Sequence, residues 1–199
     1  MPEHVRVDIV APSDLWASAI EELPQLVTRT VTAAVKATAR VLRSCEVCVV
    51  LSDDRELQLL NKDYRDIDKP TNVLSFPGEP LDDDEESYSV GSRPMVLGDI
   101  VVAYETMERE ASTVPMPLAD HLMHILIHGV LHLCRFDHEN EQDAEQMEAL
   151  ESAILLELGI PDPYSPPSAP KRTVKKRTAK RTRAASPKNT ASKAAKRNR

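Results

Sequence analysis

Val5, Val7 and Ile9 are separated by Arg6 and Asp8, a period of two that predicts a first strand over Val5–Val10. From Glu22 to Arg43 the period changes. Leu26, Val27, Val31, Ala34, Val35, Thr38, Val41 and Leu42 recur at three and four, which predicts a long amphipathic helix with Pro24 in its opening turn. Cys45–Leu51 is short, rich in Val and nearly all apolar, as a strand covered on both faces is. Ser52-Asp53 opens a short helix running to about Asp63. The turn-forming run Asp68-Lys69-Pro70-Thr71 leads into Asn72-Val73-Leu74-Ser75-Phe76, short enough for a strand. Gly98–Tyr104 reads as another strand and Glu105–Ser112 as a short helix. Leu118–Cys134 reads as a helix apolar on nearly every side, which should be buried. Asp143, Met147, Leu150, Ile154 and Leu158 mark a last helix, stopped by Gly159 and Pro161.

Two segments break the pattern. Residues 78–96 hold Asp82-Asp83-Asp84-Glu85-Glu86 flanked by Gly and Pro, a like-charge cluster that predicts a mobile surface loop. Beyond Tyr164 large apolar groups are nearly absent, so ordering has little burial to offset its entropy, and a disordered tail is expected from about residue 165. A chain of 199 residues, 41% hydrophobic, can bury one ordinary core. A single folded domain over residues 1–164 and a tail over 165–199 are therefore expected. The net charge of −7 conceals a division: the last 29 residues carry 13 Lys and Arg and no acids, leaving 12 bases against 32 acids, or −20, over residues 1–170. No window approaches the roughly 18 apolar residues of a membrane span, and the start lacks a basic then apolar leader. A cytoplasmic protein with no membrane partner is expected. Three cysteines, none in a dense framework, fit reduced thiols.

Five of the six histidines lie within 18 residues, at 121, 124, 128, 132 and 138. His128 and His132, four apart on a helix, present their rings on one face, able to reach one ion at about 2.0–2.1 Å. His138 lies beyond the helix end, where a turn can return a third imidazole to the same ion. Such a three-coordinate site keeps a place for water, whose pKa a bound zinc ion lowers to roughly 7. Two alternatives stand beside it: satisfied core histidines, or a structural zinc site completed by Cys134 or Asp137. The spacing His-x3-His-x5-His also occurs in metzincin metallopeptidases, but there a Glu after the first histidine serves as general base. Gly129 occupies that position here and accepts no proton.

The run His128-Gly129-Val130-Leu131-His132-Leu133-Cys134-Arg135-Phe136-Asp137-His138 resembles the signature of the YbeY family of bacterial rRNA-maturation endoribonucleases. Further blocks resemble the family in the same order: Leu60-Asn61-Lys62-Asp63-Tyr64-Arg65, Asp68 to Pro77, Leu97-Gly98-Asp99-Ile100 and Asp162-Pro163-Tyr164. The resemblance covers roughly residues 5–164. It implies an α/β (α+β) fold, with a small mixed sheet of about four strands, several helices and a metzincin-like histidine-bearing helix. It implies one zinc ion on His128, His132 and His138, with His128 and Arg65 carrying catalysis. It implies cleavage of single-stranded RNA in ribosome maturation, at the small-subunit rRNA 3′ end, and in quality control, with ribosomal RNA, the small subunit and assembly factors as partners. Arg65 carries over as the basic residue beside the metal; its alternative is a surface ion pair with Asp63, Asp66 or Asp68.

His124 is similar to a further family histidine and either supports the ligands or packs in the core. His121 has no assigned role. Asp137 either bonds a ligand ring or forms a turn. Cys45 and Cys48 have CxxC spacing, but on a strand they face opposite ways, so core roles are expected. Arg135 replaces a glycine of the family pattern, a poor residue for a left-handed turn, at roughly 1 kcal/mol. The basic tail 171–199, without aromatic residues, suits sequence-blind phosphate contacts, simple solubility, or contact with the acidic body of the same molecule. A metallopeptidase and a non-enzymatic ribosome-assembly factor with structural zinc are the competing functions.

Overall fold

A computed structural model describes residues 2, 4–81, 93–113 and 116–164. The acidic cluster at 82–86 and the tail 165–199 fall outside the described residues. The chain runs β1 (Val5–Val10), α1 (Leu15–Ala19), α2 (Leu23–Thr38), β2 (Cys45–Ser52), α3 (Asp54–Arg65), β3 (Val73–Pro77), β4 (Met95–Ala103), α4 (Tyr104–Thr113), α5 (Leu118–Leu133) and α6 (Glu141–Glu157). The strands form one sheet in the order β1-β2-β4-β3. β1, β2 and β4 are parallel and β3 is antiparallel to β4, so the α/β fold with a mixed four-stranded sheet is present as expected.

The sheet is covered unequally. On one face Cys45, Val47, Val49, Leu51, Ile100 and Val102 join the main core with residues of α2, α5 and α6. On the other, Val101, Ala103 and Leu74 meet Leu57 of α3 in a smaller cluster. β2 therefore alternates between buried and half-buried positions and is not sealed on both sides, because α3 is short and covers only part of the second face. β4 starts at Met95, three residues before the expected Gly98.

Two boundaries depart from the sequence reading. The helix expected to reach Arg43 ends at Thr38, and Ala39 turns left-handed at φ 52°. The Thr38 hydroxyl donates to the Val35 carbonyl at 2.8 Å and accepts the Arg40 N–H at 3.3 Å, replacing the helical bonds that would have continued. The helix α1 has no counterpart in the sequence pattern. It buries Trp16, whose indole N–H donates to the Ser52 carbonyl at 3.0 Å and whose ring meets Tyr104 edge-on at 5.1 Å.

α5 packs against α2, β3, β4, α4 and α6 and passes close to the sheet at Gly129. A Cβ there would lie 3.0 Å from the Ser75 Oγ and 3.1 Å from the Ile100 Cγ2, so the small residue sets the helix against β3 and β4. The edge strand β3 thus runs beside the histidine-bearing helix.

A candidate metal centre

From His121 to Leu133 every position of α5 is buried except His124, His128 and His132. The only stripe of that stretch reaching toward solvent consists of imidazoles at spacing four, the arrangement that stacks side chains on one helix face. One nitrogen from each of His128, His132 and His138 lies within 4.8 Å of the others, so the three could hold a metal ion. Among the described residues neither Cys134 nor Asp137 joins them.

Hydrogen bonds set the ring states. His132 Nδ1 lies 3.2 Å from the Phe136 carbonyl, which can only accept, so Nδ1 carries the proton and Nε2 presents a lone pair. His128 Nδ1 lies 2.8 Å from the Glu151 Oε1, and an ionised carboxylate likewise only accepts. The two Nε2 atoms face each other at 3.1 Å, and in the neutral rings both present lone pairs. Two nitrogens bound to one tetrahedral zinc ion at about 2.0–2.1 Å stand roughly 3.3 Å apart, so the observed pair fits such an ion. Burial, then the nearby His128 and His138 rings, push the His132 pKa below its usual value, favouring the neutral, ligating form.

Glu151 is the residue that sequence reasoning missed. Its side chain is 1% exposed and accepts from His128, from His124 at 3.3 Å and from the Tyr164 hydroxyl. Burial raises its carboxyl, but these hydrogen bonds outweigh it and hold the pKa at about 2. Its signal in the sequence is an acid in the buried register of α6, between Met147 and Ile154. His124 therefore supports the ligand helix through Glu151 and Tyr164. His121 ties other elements together. It is buried and bonds Glu110 of α4 at 2.9 Å, which also accepts from Asn72 before β3.

His138 returns to the cluster through a tight turn. Arg135 sits at φ 64°, the left-handed conformation its β-carbon disfavours. Arg40 holds this turn from across the molecule, donating to the Cys134 carbonyl at 2.9 Å and the Arg135 carbonyl at 2.8 Å while its guanidinium lies 3.7 Å from the Phe136 ring centre. The Asp137 carboxylate accepts the His138 backbone N–H at 2.7 Å, so it shapes the turn and does not orient a ring. Cys134 and Cys45 are buried, and burial pushes both thiols up to about 11, which suits inert core residues.

A cleft of about 820 Å³ opens over the histidines, and Arg65 lies on its wall with Tyr64, β3 and the turn residues Arg135 to Glu139. Arg65 ends α3, where Asp66 turns left-handed at φ 60° and its N–H closes the helix on the Lys62 carbonyl. The aspartates that could have neutralised Arg65 do not. Asp68 instead accepts from Lys62 at 3.1 Å and Gln58 at 2.8 Å, and among the described residues Arg65 has no ion-pair partner.

Fold and site together define a small α/β protein with an open cleft whose three histidines could hold one metal ion. The chain belongs to the endoribonuclease YbeY family. The family model described as Endoribonuclease YbeY matches residues 15–159. A relative in Bradyrhizobium diazoefficiens named Endoribonuclease YbeY is 44% identical over 165 residues, 82% of this chain and 87% of its own. Another of that name, in Rhodopseudomonas palustris strain BisB5, is 43% identical over 158 residues, 79% of this chain and 80% of its own.

Proposed function

We propose that this chain is a zinc-dependent endoribonuclease that cleaves single-stranded RNA during rRNA maturation, at the 3′ end of small-subunit rRNA, and in ribosome quality control. The observation that carries the metal part is the convergence of one nitrogen from each of His128, His132 and His138 within 4.8 Å, with the His128 and His132 Nε2 atoms 3.1 Å apart, an arrangement that suits a shared cation. His128, His132 and His138 are the ligands in this reading, over a catalytic unit spanning residues 1–164. When bound, a zinc ion supplies Lewis acidity toward a phosphoryl oxygen and toward water. Arg65, on the cleft wall and without a carboxylate partner among the described residues, pairs with two phosphate oxygens and stabilises the charge that grows as phosphorus is attacked. His128 keeps its Nε2 available because Glu151 holds the proton on Nδ1.

A peptidase reading lacks its base, and position 129 has no room to supply one: even a Cβ there closes on Ser75 and Ile100. In the proposed setting the enzyme works in the cytoplasm on small subunits and their assembly factors, and the basic segment 171–199 adds phosphate contacts that raise local RNA concentration. The test is zinc content together with cleavage of single-stranded RNA by wild type, His128→Ala and Arg65→Ala. Expected are stoichiometric zinc and cleavage in wild type, loss of both in His128→Ala, and loss of cleavage alone in Arg65→Ala. Zinc-loaded wild type that binds ribosomal particles but cuts no RNA would favour an assembly factor with structural zinc.

A further inference from the structure

We propose that Tyr64 is a stacking platform for one unpaired base of the substrate, placed beside the histidine cluster; this rests on the nuclease reading above. Tyr64 is 70% exposed, more than any other large hydrophobic residue described, in a chain with only one Trp, four Tyr and two Phe. It occupies the penultimate position of α3, next to Arg65, and lines the same cleft as His128, His132 and His138. Its ring is not loose: it meets Phe76 of β3 edge-on, with centroids 4.9 Å apart and planes at 65°. That contact braces the ring from one side and leaves the rest of its π-surface to the cleft, a preorganised support that loses little entropy when a base stacks on it.

The neighbouring backbone supplies the complementary polar groups. β3 is the edge strand, and the Ala103 N–H donates to the Asn72 carbonyl at 2.9 Å. Antiparallel pairing alternates, so Leu74 and Phe76 turn their peptide groups toward β4, and Val73 and Ser75 turn theirs to the free edge. Val73 and Ser75 both line the cleft with Tyr64. A base stacked on Tyr64 can meet them with its edge or its ribose hydroxyl. Bases in a duplex are covered on both faces, so a platform of this kind selects single strands without reading sequence.

Electrostatics separate Tyr64 from its neighbour. The charged residues that line the cleft, Arg65 and Arg135 with Asp137 and Glu139, balance one another, so affinity there should include contacts that salt does not weaken. Stacking is such a contact; the Arg65 charge is not. Tyr64→Leu keeps an apolar cover over Phe76 without a π-face, and Tyr64→Phe keeps the face.

The experiment measures anisotropy binding of the zinc-loaded full chain to a single-stranded RNA oligonucleotide, and kcat/KM on that RNA and on versions carrying one abasic position each. Tyr64→Leu should weaken both by roughly 5- to 100-fold, as expected for one base–aromatic stack, equally at low and high salt, and Tyr64→Phe should restore them. One abasic position should lower wild type to the level of Tyr64→Leu and leave Tyr64→Leu unchanged. Wild-type behaviour of Tyr64→Leu, or an equal penalty on every abasic substrate, would overturn the platform. Binding that depends on Tyr64 without any cleavage by wild type keeps the platform and sinks the nuclease reading; no binding by wild type sinks both.

Discussion

Glu151→Gln tests whether a buried carboxylate keeps His128 in its ligating state. The carboxylate accepts three donors, from His128 at 2.8 Å, from His124 at 3.3 Å and from Tyr164, while its side chain is 1% exposed. Glutamine has the same shape, so packing survives, but one of its two polar ends donates. If that end faces His128, Nδ1 must accept, the proton moves to Nε2, and the lone pair aimed at His132 is lost. Loss of such a partner typically lowers metal affinity about 10- to 100-fold, or roughly 1.4–2.8 kcal/mol. Competition for zinc against a chelator of known affinity measures it. Glu151→Ala leaves three donors unpaired and should lower the stability of the metal-free protein by about 3–5 kcal/mol in denaturant unfolding. The pH dependence has a definite sign. The folded carboxyl sits at about 2 against 4.5 unperturbed, so its contribution is complete above 4.5 and disappears as pH falls toward 2. Glu151→Gln should therefore flatten the acid unfolding curve in that window. Zinc binding as tight as wild type in both Glu151→Gln and Glu151→Ala, the second of which offers His128 no acceptor in either orientation, would refute the tautomer reasoning.

Arg65→Ala should lower kcat/KM on single-stranded RNA by about 10²- to 10³-fold with zinc content unchanged, and Arg65→Lys should recover only part because a single ammonium cannot pair bidentately. Arg135→Gly relieves the left-handed strain at φ 64° and, after the greater unfolded-state freedom of glycine, should raise stability by about 0.5–1 kcal/mol in denaturant unfolding. A drop in stability would show that the Arg135 side chain makes up for its backbone. Replacing the Lys and Arg of 171–199 by Gln should weaken RNA binding at low salt, with the gap closing as salt rises; a gap independent of salt would exclude phosphate contacts.

What is legible in the sequence follows from how local each cause is. His128 and His132 are readable because helix geometry alone fixes residues four apart, and the strand of β1 because alternation needs only its own six residues. The end of α2 is not, since Ala39 adopts a conformation usually left to glycine and nothing in its identity announces it. α1 is five residues long, too short for a period to emerge, although its single Trp hints at burial. His138 is readable only as a residue within reach. Its return depends on Arg40, 94 residues before the carbonyl it holds, and no local pattern encodes that contact.

The same distinction applies to the histidine cluster that could hold a metal. The three histidines are local to α5 and the turn after it, but two of their rings are oriented by groups acting only as acceptors: the Phe136 carbonyl for His132 and Glu151, from a different helix, for His128. In neutral rings with both protons on Nδ1, the Nε2 atoms 3.1 Å apart would have no proton between them and their lone pairs would repel until a cation or a proton intervened. The folded core of α5, buried everywhere from His121 to Leu133 but along its histidine stripe, keeps the rings from turning away. A cation held between them would remove that repulsion, so folding and metal binding would favour the same ring arrangement. Stability and metal affinity should consequently be coupled in this protein: substitutions at Glu151 should shift both.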